Sequence, residues 1–128
     1  MRRLCLASVA ALMLTTGAVA NPLDGTYRIQ QLAGQPVDWA GFLQVEGSRV
    51  TLQSPCNSYA ATWRADGTGR LTPDMPMIGT QAVCASPELS SADATLRQVA
   101  SRAEWLAHRD GWVRLQLSDG TILIEAIR

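Results

Sequence analysis

Two cysteines, Cys56 and Cys84, are the feature that most constrains what this chain can fold into. The chain begins with an apparent export signal, and export brings a protein to an oxidising compartment, where paired thiols close into a disulfide. The sequence therefore predicts that these cysteines tie residues 56–84 into a loop. Two buried free thiols and a redox-active pair are the alternatives, although redox motifs usually place their cysteines two residues apart. A third cysteine, Cys5, lies within the signal.

The predicted signal covers residues 1–20, and a single predicted domain covers residues 21–128. A basic start and an apolar run over residues 4–14 are followed by Ala18-Val19-Ala20, which fits the small-residue cleavage pattern. The apolar run is shorter than the ~20 residues of a spanning helix. We therefore expect a periplasmic or secreted protein, exported by the general secretory route, with no transmembrane segment after signal removal.

Size and charge narrow the class of protein further. Once the predicted signal is removed from the 128-residue chain, the remainder is long enough for one domain with its own core, but not for two. Lysine is absent, and eleven arginines balance eleven acidic residues. Because the arginines form no basic stripe, nucleic acid is not expected as a partner. An unknown envelope protein or a small hydrophobic ligand is the expected kind of partner.

Short apolar segments alternate with turn signals, and one helix interrupts them. Strands are predicted over residues 26–32, 41–45, 50–53, 58–64, 70–72, 104–108, 112–117 and 122–127. The helix is predicted to begin with Ser86 as N-cap and Pro87 at its first position. Its apolar stripe comprises Leu89, Ala92, Leu96, Val99 and Ala103.

Together these elements predict an α+β domain. We expect a curled, mainly antiparallel sheet, barrel-like, with one helix packed against it and closing one mouth. The last strand is apolar on nearly both faces, so a central or helix-covered position is expected for it.

Few residues could carry catalysis. His108 is the only histidine, which excludes metal sites built on two histidines, and its position at a predicted strand end is typical of a surface turn. No Gly-x-Ser-x-Gly motif presents a nucleophile, and no glycine motif cradles phosphate. The carboxylates are scattered, and Asp66, Asp110 and Asp119 each precede a glycine in a turn. No catalytic residue, metal site or cofactor is predicted, and an enzyme is not expected.

The large apolar side chains leave two interpretations open. Four tryptophans either pack the core and sheet faces or line a cavity or interface: Trp39, Trp63, Trp105 and Trp112. The last two flank one hairpin and could oppose each other across it. Met75 and Met77 stand between prolines, where they either cover the open end of a sheet or form a flexible lip that contacts a ligand.

The segments around both cysteines carry a family resemblance. Cys56-Asn57-Ser58-Tyr59 opens a strand, and Gly79-Thr80-Gln81-Ala82-Val83-Cys84-Ala85-Ser86-Pro87-Glu88-Leu89 leads into the helix. These segments resemble the META domain family, which includes HslJ-type heat-shock proteins and shows a Cys-Asn start, a threonine before the second cysteine and then a helix. The resemblance spans roughly residues 23–127. Ala61 stands where the family usually has a glycine, which leaves open whether the strand bulges there.

The resemblance implies a small α+β domain, often found in bacterial envelopes, with no established enzymatic activity. Some members are linked to heat shock or motility, and some relatives to drug tolerance. Asn57 and Thr80 match the motif and are interpreted as structural, because such side chains bond nearby backbone groups.

The leading hypothesis is a non-enzymatic exported protein with a binding or envelope-stress role. A carrier of a lipid or small hydrophobic ligand, held inside a curled sheet, is the first alternative. An inhibitor of an envelope or host enzyme is the second, because it fits the small disulfide-bonded format. The sequence does not identify the ligand-binding residues.

Overall fold

The computed structural model describes residues 23–56, 59–74 and 84–128, which form nine strands and one helix. The elements are β1 (Gly25–Leu32), β2 (Gln35–Pro36), β3 (Phe42–Glu46), β4 (Arg49–Gln53), β5 (Tyr59–Ala65), β6 (Leu71–Pro73), α1 (Pro87–Ala100), β7 (Trp105–Arg109), β8 (Trp112–Gln116) and β9 (Ile122–Ile127). Each predicted strand is present with its ends within one residue of those expected. The short β2, which pairs with β1, was not predicted.

All strand pairs are antiparallel, and the strands follow the order β6-β5-β4-β3-β1-β9-β8-β7 in one sheet. The two ends of this order meet, because the Leu106 N–H donates to the Gly69 carbonyl at 2.7 Å. The Leu71 N–H also donates to the Glu104 carbonyl at 2.8 Å. These bonds curl the sheet into a nearly closed barrel, and the predicted α+β class is confirmed.

Two details of register bear on the predictions. β9 lies between β1 and β8 and buries Leu123, Ile124 and Ala126, which confirms its expected central position. The register of β5 against β4 shifts between Leu52 and Gln53, beside Ala61. The strand is therefore irregular next to this position although no glycine stands there.

The barrel interior is filled by side chains from every strand of its wall. In β1, for example, Tyr27 and Ile29 are buried while Thr26 and Arg28 are exposed, as period-two alternation requires. The buried residues form one hydrophobic cluster: Tyr27, Ile29, Leu32, Leu43, Val45, Val50, Leu52, Trp63, Leu71, Leu96, Val99, Ala100, Leu106, Val113, Leu115, Leu123, Ile124 and Ala126.

Helix α1 lies across one end of the barrel, which we call the closed end. It contacts β5 and β9, which stand on opposite sides of the wall, so it crosses the end instead of lying along the outside. It buries Leu96, Val99 and Ala100 against the core, whereas the predicted stripe residue Ala103 follows the helix end. Within the described residues, no helix is long and apolar enough to cross a membrane.

The helix start is defined by a cap and by a disulfide. The Ser86 hydroxyl accepts a hydrogen bond from the Leu89 N–H at 3.2 Å, and Pro87 occupies the first turn, as predicted. Cys56, just after β4, is bonded to Cys84, just before α1, and their Cα atoms are 4.8 Å apart. The predicted disulfide therefore ties the wall of the barrel to the start of the helix.

Candidate functional site

The barrel end opposite α1 is formed by three turns and by the chain just ahead of β1. Strands β3, β5 and β7 end there, and β4, β6 and β8 begin there. We call this end the open mouth and define it by residues 23–25, 46–49, 66–70 and 109–111. In the part of the chain that the structure describes, no helix covers it.

Two adjoining pockets lie at the open mouth and share Leu23 and His108. The rim pocket has a volume of about 550 Å³, and its lining residues are Leu23, Tyr27, His108, Arg109, Asp110, Trp112 and Arg128. The inner pocket has a volume of about 370 Å³ and lies between the β3–β4 turn, the β5–β6 turn and β7. The buried side chains of Val45 and Leu106 form part of its floor. Both pockets therefore lie above a filled core.

The charged side chains that line the rim pocket are two arginines, Arg109 and Arg128, and one carboxylate, Asp110. The Arg128 guanidinium lies 5.2 Å from the centre of the Tyr27 ring and donates to the Asp24 carbonyl at 3.0 Å. The Tyr27 hydroxyl donates to the Leu23 carbonyl at 2.8 Å, which fixes the chain ahead of β1. Arg109 is exposed and forms no ion pair among the described residues. This side of the mouth therefore offers the Arg109 guanidinium to a polar or anionic partner.

The β5–β6 turn at the mouth is held by Asp66. Its carboxylate accepts hydrogen bonds from the Thr68 hydroxyl at 2.6 Å, the Thr68 N–H at 2.8 Å and the Arg70 N–H at 3.0 Å. These bonds hold the pKa of Asp66 below its ordinary value, with the Thr68 hydroxyl as the largest cause. Asp66 is thus the turn residue that the sequence predicted.

Gly69 in the same turn permits the barrel to close. Its φ is +99°, and a Cβ at this position would lie 2.5 Å from the Leu106 carbonyl oxygen. Both the conformation and the close approach require glycine. The Asp66 carboxylate therefore shapes the turn, and Gly69 lets the turn reach β7.

His108 is exposed at the end of β7, in agreement with its interpretation as a surface residue. The sequence did not indicate that it would stand between two pockets. Leu23 and Arg128, which line the rim pocket with His108, are distant from it in the chain and are brought near it by the pairing of β1 with β9 and of β9 with β8. The only local signal for a site at this position was a histidine and an arginine next to a two-residue turn.

The tryptophans divide between the core and the outer surface. Trp63 is buried in the core, and Trp39 packs against that core. Trp105 and Trp112 do not oppose each other, because their partners across the hairpin are Gln116 and Arg109. That expectation was wrong: the two-residue turn sets a register that places the tryptophans at opposite ends of the hairpin.

An ion pair supports Trp112 on the outer face of the barrel. The Arg114 guanidinium lies 4.0 Å from the centre of the Trp112 ring, and its Nε donates to Glu125 at 2.8 Å. The Trp112 ring, which also lines the rim pocket, is therefore held in a fixed orientation.

The remaining predicted residues lie away from the open mouth or outside the described residues. Cys56 and Cys84 join at the closed end. Asn57 and Thr80, the two motif positions, lie outside the described residues, as do Met75, Met77 and the predicted signal at residues 1–20. Among the residues that are described, no three His, Cys, Asp or Glu side chains form a group that could hold a metal ion.

Comparison with known proteins identifies one family. A family model described as META domain matches residues 20–126, which is most of the chain. The matched range includes both disulfide cysteines, the helix and the turns of the open mouth. No curated protein and no solved structure matches the chain.

Proposed function

Because the chain belongs to the META domain family, we propose that it is an exported, non-enzymatic protein that binds a partner at the open mouth of its barrel. The difference between the two barrel ends carries this proposal. The helix and the disulfide cover one end, while the other presents two adjoining pockets and exposed cationic side chains. The disulfide supports export, because such bonds persist in oxidising compartments.

The open mouth is suited to binding because its parts are fixed before a partner arrives. The Asp66 carboxylate holds one turn, the Tyr27 hydroxyl holds the chain ahead of β1, and Arg114 holds Trp112. Binding to a preorganised surface costs less conformational entropy than binding to mobile loops. The pocket volumes of about 550 and 370 Å³ lie within the range of ligand-binding pockets.

The filled interior favours this proposal over a carrier of hydrophobic ligands. A carrier needs an apolar cavity, whereas here Tyr27, Leu43 and Leu115 are fully buried within the barrel. Inhibition of an envelope or host enzyme would be one consequence of partner binding at the mouth. A role in envelope stress is the physiological part of the proposal and rests on family membership.

Site-specific photo-crosslinking tests whether a partner binds at the mouth. Arg109 at the mouth and Arg102 beyond α1 are both exposed arginines, so they form a matched pair. Each is replaced in turn by benzoylphenylalanine in the full chain, in cells that produce the protein. We expect a discrete cross-linked product from position 109 and none from position 102, identified by mass spectrometry. Equal products at both positions, or a product only at position 102, would overturn the proposal.

A further inference from the structure

The barrel is closed along only part of β7. The Leu106 N–H bonds to the Gly69 carbonyl, and Trp105 forms a bridge with Arg70. Beyond Leu106 no described strand pairs with residues 107–109 on that side, although Thr68 of the β5–β6 turn lines pockets together with His108. β7 therefore ends at the open mouth with one free edge.

The hydrogen-bond pattern identifies which groups face this edge. In an antiparallel strand, the backbone groups of successive residues point to opposite sides. The Leu106 N–H points away from β8, towards Gly69. The N–H and C=O of His108 therefore also point away from β8, whereas those of Ala107 point towards it. His108 thus presents one donor and one acceptor that the barrel ladder does not use.

Pockets flank this free edge on both faces of the strand. The inner pocket, lined by Leu106 and His108, lies on the interior side. A third pocket of about 370 Å³, the outer pocket, is lined by Trp105, Ala107 and Gln116 among others. Because side chains alternate between the faces of a strand, a strand added here would point neighbouring side chains to the two sides.

We propose that β7 accepts an extended segment of a partner protein as an additional strand, bonded to the N–H and C=O of His108. In this mode of recognition, main-chain hydrogen bonds provide affinity and pockets for alternate side chains provide specificity. The inference rests on the proposed function and specifies the chemistry of the partner. It places the contact on the backbone of β7 as well as on the side chains of the mouth.

The surroundings of the free edge define the partner sequence. The side chain opposite His108 points to the inner pocket, whose walls include Leu23, Val45 and Ala65. The side chain opposite Arg109 lies on the outer face, next to a guanidinium without an ion pair in the described chain. Opposite charges directly across two strands attract each other. The partner segment therefore carries an apolar residue next to an acidic residue.

Two proline variants test the geometry of the edge. His108→Pro removes an N–H that the barrel does not use, so we expect its melting temperature to stay within about 5 °C of the unmodified protein. Ala107→Pro removes a bond to β8, and we expect a loss of at least about 10 °C. An equally large loss in both variants would contradict a free edge at His108, and would overturn the inference.

Selection from a phage-displayed library of short random peptides tests the partner. We expect enriched peptides to contain an apolar residue beside an acidic one. We also expect His108→Pro to weaken their binding at least about tenfold. His108→Ala keeps the N–H and serves as the matched control, so it should weaken binding less than the proline variant.

The other outcomes separate this inference from the proposed function. Peptides that bind His108→Pro as tightly as the unmodified protein, but fail to bind Arg109→Ala, would support the mouth as a binding site and overturn strand addition. A library that yields no binder would also overturn strand addition, while the cross-link at position 109 reports independently on the proposed function. A dimer of the purified protein that His108→Pro abolishes would assign the edge to a second copy of this chain, again overturning the inference.

Discussion

Reduction of the Cys56–Cys84 disulfide should destabilise the protein by an amount that follows from the loop it closes. The two cysteines are separated by 28 positions in the sequence. In the chain-entropy description, opening a loop of this length lowers the free energy of unfolding by about 3.5 kcal/mol. Reduction leaves both sulfur atoms in place, so it adds no cavity beside the buried Cys56. The cost should therefore be almost entirely the added freedom of the unfolded chain.

Urea unfolding with and without reductant measures this cost, with tryptophan fluorescence, to which the buried Trp63 contributes, as the signal. For a small domain the urea slope is about 1–3 kcal/mol per molar, so a loss of about 3.5 kcal/mol should lower the midpoint by about 1.2–3.5 M on reduction. The Cys56→Ala/Cys84→Ala double variant is the control, because reductant should leave its midpoint unchanged. Coincident midpoints for the oxidised and reduced protein would refute the loop-closure reasoning.

Substitutions at three further positions probe the helix cap and the turn that closes the barrel. Ser86→Ala removes the acceptor of the Leu89 N–H and should cost about 1 kcal/mol in urea unfolding, whereas Ser86→Asp should retain most of the stability. Gly69→Ala should cost about 1–3 kcal/mol, because its φ is positive and a Cβ would press on the Leu106 carbonyl; a variant of unchanged stability would contradict the close approach. Asp66→Asn should destabilise the protein at pH 7. Because the pKa of Asp66 is lower in the folded state, the difference in free energy of unfolding between the two proteins should be complete above about pH 4. It should shrink as the pH falls below that value. Urea titrations at pH 7 and pH 3 compare the two proteins, and a difference that grows in acid would contradict the linkage.

Local signals were sufficient for the helix and for every strand of this fold except β2. Alternation at Tyr27 and Ile29, and the Ser86-Pro87 start of the helix, depend on neighbours within a few positions, and the structure places them as predicted. The tryptophan pairing failed although its signal was local. The two-residue turn after Arg109 already dictates that Arg109 faces Trp112.

The barrel-like curl of the sheet was predicted, but the identity of the strands that meet to close it was beyond the reach of sequence reasoning. Periodicity predicts that a strand exists, but it carries no information about which strands become neighbours. The bond between Gly69 and Leu106 joins segments separated by the whole helix, and it creates both the inner pocket and the free edge of β7. His108 could therefore be predicted to be exposed, but its place at the mouth could not.

The pairing of β1 with β9 has a consequence for how the protein matures. In the exported protein that we propose, translocation would deliver the amino end first, so β1 would enter the new compartment before β9, its partner in the sheet. Until β9 arrived, one edge of β1 would be unpaired, and a chaperone or rapid delivery would be needed to prevent aggregation at that edge. The same adjacency brings the Arg128 side chain to within 3.0 Å of the Asp24 carbonyl, so a short linker could join residues 24 and 128 in a circularly permuted barrel.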